Sequence, residues 1–401
     1  MFQLFQISLL LSVGVRATVL KIPVEWASAN DPTSPANSQR PQLSRQQQSP
    51  IGVDRRPRRQ TLQDDSQLVL ELDVGTPAQK VRLVPDLTSN IFVVPTAACH
   101  TKARKANRDC ESSGTFNSTL SSTYLRGPSI PELPWREATF RGNLARDVIS
   151  FGSNSTFNKS FTEASVVHSK RKSRSAGSHG VFGLKLGRSF ADSDTLFQGM
   201  FDAGHLDSKV FGVELPHGQK SGQLTLGGLD HGLTLDDVNM IPAIQSGNLG
   251  WVVEAKYLVH IFEGFHLTTH LENCTAELDF NFPGFAFPRP FLQEILTALG
   301  SPPDAGFTAE TITFPCDYRM QMPEIAIGLG QNGYRLDAFD YAFETEDDKS
   351  GKSMCAVRIH SASALPAHRG CMIVGREFFS AHYSVFDVES MKVGFIKQSD
   401  F

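Results

Sequence analysis

Several things are scarce in this 401-residue sequence, and each scarcity closes off a class of protein. Positive charge is not in excess: 38 Lys and Arg stand against 42 Asp and Glu, for a formal net charge of -4. The field that draws a protein onto a phosphate backbone is missing, so nucleic acid is not an expected partner. Beyond the first few residues no segment reaches the roughly 18 consecutive apolar residues that a membrane-spanning helix requires. The cysteines include no Cys-x-x-Cys pair, and so no histidine stands at zinc-finger spacing from one, which argues against a structural zinc site. Long periodic tracts of Ala, Glu, Lys and Leu are also absent. Together with 32 Gly, 22 Pro and 29 Phe, that favours many short strands joined by turns, an all-β fold.

What is present has the marks of the secretory route. The length suits two lobes of roughly 150 residues or more each rather than one core. Residues 1–17 carry the apolar stretch Leu9-Leu10-Leu11-Ser12-Val13 and end in Val15-Arg16-Ala17, as a signal peptide cut before Thr18 would. The six cysteines, Cys99, Cys110, Cys274, Cys316, Cys355 and Cys371, form an even set that an oxidising compartment would close into three disulfides. Asn117, Asn154, Asn158 and Asn273 each open a glycosylation triplet. The expected location is extracellular or an endomembrane lumen such as the lysosome.

From Ser28 to Arg59 the chain turns to Pro, Ser, Gln and Arg with almost no bulky apolar residues, too polar to build a core. Residues 18–59 are therefore assigned to a pro-segment or linker. The tract ends in Arg55-Arg56-Pro57-Arg58-Arg59, a pattern that resembles a furin-type processing site, so the mature chain is expected to begin at Gln60. Taken alone, such a run is equally a solvated charge cluster. A second basic run, Lys170-Arg171-Lys172-Ser173-Arg174, reads as an exposed loop.

Ordered sequence resumes with Leu68, Leu70, Leu72 and Val74 in alternation, the break Gly75-Thr76-Pro77, and Val81 and Leu83, which is a strand, a turn and a strand leading to Asp86. A second apolar block from Cys274 to Leu278 leads to Asp279. Gly183, closing Val181-Phe182-Gly183, follows Asp86 by 97 positions, and Gly375, closing Ile373-Val374-Gly375, follows Asp279 by 96. Matched spacing of this kind is what two diverged copies of one lobe leave behind. The lobes are placed at 60–235 and 236–401. Apolar residues at Phe291, Leu292, Ile295, Leu296 and Leu299, after Pro290 and before Gly300, predict one helix.

At Asp73-Val74-Gly75-Thr76-Pro77 and Asp86-Leu87-Thr88-Ser89-Asn90-Ile91-Phe92-Val93-Val94-Pro95 the sequence resembles the first active-site segment of the pepsin-like aspartic proteases. The likeness continues through Phe116 to Tyr124, through Ser221-Gly222-Gln223-Leu224-Thr225-Leu226-Gly227-Gly228, and through Ile373-Val374-Gly375 to Phe395. It implies a bilobal all-β fold with a few short helices and an active-site cleft between the lobes, a monomer, and a peptide or protein in the cleft. It implies Asp86 and Asp279 as the paired carboxylates, holding a water that attacks a peptide carbonyl without metal or cofactor. A lone Asp after a strand is more often a turn residue; two in matched repeats are not so easily dismissed. The resemblance also implies bridges Cys99–Cys110 and Cys316–Cys355, whose loops the family closes, with Cys274–Cys371 as the remaining pair.

Departures from the family pattern stand beside the matches. Where it has Asp-Thr-Gly twice, this chain has Asp86-Leu87-Thr88 and Asp279-Phe280-Asn281, so the two hydroxyls that would bond across the lobes are missing. Ser89 is kept, Phe282 and Pro283 stand where hydroxyl residues are expected, and the flap tyrosine falls at Trp135. Three functions fit: a working endopeptidase, a peptide-binding pseudoprotease, and a secreted structural or storage glycoprotein.

Overall fold

The computed structural model describes residues 18–27, 66–96, 114–136, 138–151, 156–169, 179–185, 195–215, 221–245, 250–262, 264–298, 306–307, 311–346, 353–364 and 371–400. The signal-peptide and processing assignments, Arg59 included, lie outside these residues, as do Cys99, Cys110, Asn154 and the basic run at 170–174.

The alternation read from sequence becomes β2 (Gln67–Val74) and β3 (Gln79–Asp86), an antiparallel pair in which Leu70 faces Leu83 and Leu72 faces Val81. Gly75 makes the turn between them because its left-handed φ of 86° and its contact with Ser121, 2.8 Å from where a Cβ would stand, both disfavour any side chain. β3 runs parallel to the short strand Gly180–Gly183, which places Asp86 opposite Gly183. The next strand, β4 (Phe92–Pro95), returns antiparallel to that same short strand.

The second half repeats this wiring. The strand Phe265–Leu278 runs parallel to Met372–Val374, with Leu278 opposite Val374, and Phe285–Phe287 returns antiparallel to the same partner. Each aspartate thus closes a strand whose short parallel neighbour comes from 96 or 97 residues downstream. The physical cause of the repeated spacing is this shared register.

Among the described residues two sheets result, of 14 and 10 strands. Although they come from the second half of the chain, Met240–Pro242, His382–Asp387 and Lys392–Lys397 belong to the first sheet, joined to it where Val210–Glu214 pairs with His382–Asp387. The apolar core follows the same route: Phe211 stacks on Phe386 at 4.7 Å, and the indole of Trp251, fully buried, donates to the carbonyl of Leu184 at 2.9 Å. The expected helix is Arg289–Ala298, with Phe291 and Ile295 buried against the second sheet.

A further strand was hidden in the stretch assigned to a pro-segment or linker. β1 (Leu20–Ala27) lies in the first sheet between Ser221–Leu226 and β2, and buries Ile22, Val24 and Trp26. Its alternating Leu20, Ile22, Val24 and Trp26 carry the ordinary strand signal, next to the polar tract that begins at Ser28.

Candidate active site

Asp86 and Asp279 are both fully buried, each at the end of its strand and each fixed by main-chain bonds. The carbonyl of Asp86 accepts from the Leu184 N–H at 2.8 Å, and the Asp279 N–H donates to the carbonyl of Val374 at 3.0 Å. The turn after each strand points a backbone N–H back at the carboxylate. Thr88 N–H donates to Asp86 Oδ1 at 2.9 Å and Asn281 N–H donates to Asp279 Oδ1 at 3.0 Å, a two-fold arrangement that matches the repeat.

Between these two Oδ1 atoms stands one nitrogen. The hairpin formed by Leu133–Trp135 and Ala138–Ser150 pairs Trp135 with Ala138, which puts Arg136 at its turn. A two-residue connection of this kind requires positive φ, and Arg136 adopts a φ of 49°. From there its Nη2 donates to Asp86 Oδ1 at 3.0 Å and to Asp279 Oδ1 at 2.8 Å. An Nη2 carries two hydrogens, and each has a carboxylate. Trp135, buried and stacked on Phe140, donates its indole N–H to the other oxygen of Asp86.

The electrostatics are those of a cation clasped by two anions. Burial opposes the charge on Arg136, but Asp279 and Asp86, through charge and hydrogen bonds, outweigh it and hold the guanidinium well above its ordinary pKa. A water shared by the two carboxylates would have to lie within hydrogen-bond reach of both Oδ1 atoms. Nη2 of Arg136 has that position.

The residues at the departed motif positions do not all behave as the sequence suggests. Leu87 and Phe280 are buried in the core, Phe280 edge-on to Phe379. Thr88 and Asn281 supply bonds of their own. Thr88 Oγ1 donates to Asp86 Oδ1 at 2.8 Å, and Asn281 Nδ2 reaches to the carbonyl of Pro85 at 2.7 Å while its Oδ1 accepts from Leu68 N–H at 3.4 Å. Asn281 therefore restores a link across the two repeats where the hydroxyls are missing. Ser89 Oγ is buried with no partner among the described residues.

Of the other assigned positions, Asn158 and Asn273 are exposed, and Asn117 caps a short turn by accepting from Thr119. Cys274–Cys371 and Cys316–Cys355 are disulfides.

The model of the eukaryotic aspartyl proteases matches residues 67–398. Cathepsin D of Gallus gallus is 26% identical over 343 residues, spanning 83% of this chain and 81% of that protein. Cathepsin D of Homo sapiens is 25% identical over 345 residues, with 82% and 80% covered, and gastricsin of Rattus norvegicus is 25% identical over 327 residues, with 81% and 79% covered. A match running from β2 to the last strand, over two sheets wired as a repeat, makes this chain a pepsin-like member of the eukaryotic aspartyl protease family.

Proposed function

We propose that this protein is a secreted or lumenal aspartic protease homologue whose cleft binds peptides with little or no cleavage. The observation that carries the reading is the position of Arg136 Nη2 between Asp86 Oδ1 and Asp279 Oδ1. Peptide hydrolysis by such a dyad needs one carboxyl protonated as acid, one ionised as base, and a water between them. A permanent cation bonded to both oxygens takes the place of the water. Activity then requires the hairpin turn to leave the dyad, against two part-buried charge-assisted bonds.

Binding does not need the dyad to be free. A cavity of about 660 Å³ lies on the flank of the hairpin, lined by Ile91, Phe92, Leu133, Leu144, Arg146 and Thr162 among others. That volume is in the range of ligand sites, and Leu133 is two residues from Trp135. Both placed disulfides, the glycosylation triplets and the lack among the described residues of any helix long and apolar enough to cross a membrane fit an extracellular or lumenal place.

The reading is tested by exposing immobilised protein to a broad peptide library and identifying bound and unbound peptides by mass spectrometry. Retention of intact peptides is expected. Absence of any bound peptide would point instead to a structural glycoprotein, and cleaved products lost in Asp86→Asn would point to a working endopeptidase.

A further inference from the structure

We propose that the segment bearing β1 is a permanent strand of the sheet, so that a chain cut anywhere between β1 and β2 remains a two-chain protein with the N-terminal piece bound. This goes beyond the reading of the cleft and does not rest on it. The polar tract and its basic run lie between these two strands in sequence, so processing there severs the covalent link and leaves the strand held by its contacts alone.

Those contacts run along both edges and both ends. β1 pairs along Leu20–Glu25 with Ser221–Leu226 and along Val24–Ala27 with β2. Its removal would leave two strand edges unpaired in the middle of a sheet, each a row of unsatisfied donors and acceptors. Ile22, Val24 and Trp26 are within the core. Lys21 pairs with Asp230, and Glu25 pairs with Arg82. At the far end the guanidinium of Arg376, itself buried, lies 4.0 Å from the Trp26 ring and donates to Ser66 Oγ at 3.0 Å and to the Ser66 carbonyl at 2.8 Å. One arginine thus grips the end of β1 and the approach to β2 together.

The receiving surface is shaped for the start of the segment as well. A Cβ on Gly227 would stand 2.7 Å from the carbonyl oxygen of Thr18, and one on Gly228 would stand 2.8 Å from Val19 Cγ2. The glycines leave room that residues 18 and 19 fill.

After a cut at Arg59, the sequence left ahead of β2 is not equipped to replace β1. The stretch from Gln60 to Ser66 reads Gln-Thr-Leu-Gln-Asp-Asp-Ser and offers Leu62 as its one apolar side chain. Ile22, Val24 and Trp26 have no counterpart there, and two aspartates would enter a position flanked by strands on both sides, at a desolvation cost.

The experiment uses the full secreted chain with Arg56–Arg59 exchanged for the recognition sequence of a sequence-specific endoprotease. After complete cutting, native size exclusion and intact-mass analysis are run on the same sample. The expected result is co-elution of the two pieces at one-to-one stoichiometry, with separation only in denaturant. Trp26→Ala in the cut protein should speed release of the N-terminal piece by tenfold or more. Release of that piece from the cut parent protein under native conditions, whether the remainder stays folded or precipitates, would overturn the proposal. So would equal release rates for Trp26→Ala and the parent.

Discussion

Replacing Arg136 by alanine removes a cation that touches both carboxylates. Asp86 and Asp279 are fully buried, and Arg136 bonds them at 3.0 and 2.8 Å. Taking one partner from a buried ionic cluster costs about 3–5 kcal/mol, because the charges left behind are uncompensated. Since the Arg136 side chain is 24% exposed, water screens the cluster and the lower end, about 3 kcal/mol, is expected at neutral pH. Arg136→Gly should stand about 1 kcal/mol above Arg136→Ala, since glycine adopts positive φ without the strain that other residues carry. Urea unfolding of the three proteins at pH 7 measures both differences. Equal stability of wild type and Arg136→Ala at pH 7 would refute the clasp.

Other substitutions probe the frame around the site. His179 is buried, and desolvation, then the charge of Arg82, push its imidazole down to about 3. Its folded value is below the unfolded one of about 6.5, so protonation favours the unfolded chain, and stability is lost as pH falls from about 6.5 toward 3. His179→Gln should remove on the order of 2–3 kcal/mol of the loss between pH 6.5 and 4, read from denaturation midpoints at both pH values. Asn281→Ala leaves the Pro85 carbonyl and Leu68 N–H without their partner and should cost about 1–3 kcal/mol in thermal unfolding. Trp135→Phe keeps an aromatic ring beside Phe140 but removes the donor to Asp86, an expected loss of about 1.5–3 kcal/mol by the same assay.

The repeat was legible because register leaves a trace in spacing: 97 positions from Asp86 to Gly183 and 96 from Asp279 to Gly375 are set by two parallel strand pairs. The alternation of Leu68, Leu70 and Leu72 gave β2 for the same local reason. Arg136 was not legible. It stands 50 positions from Asp86 and 143 from Asp279, and only the pairing of Trp135 with Ala138 puts it at the hairpin turn. The bonds of Thr88 and Asn281 were not legible either, since Asn281 finds Pro85 and Leu68 only once the fold brings them together. β1 had its signal in four alternating apolar residues, but eight residues beside a long polar tract were weighed with the tract.

Peptide turnover by the wild-type protein tests the central claim most directly. A broad peptide library is incubated from pH 3.5 to 7.5 with wild type and with Asp86→Asn, and new termini are counted by mass spectrometry. With Arg136 between the carboxylates, wild type should release no more termini than the Asp86→Asn control at any pH. Turnover by wild type on the order of 1 s⁻¹, a rate ordinary for enzymes, abolished in Asp86→Asn, would contradict it.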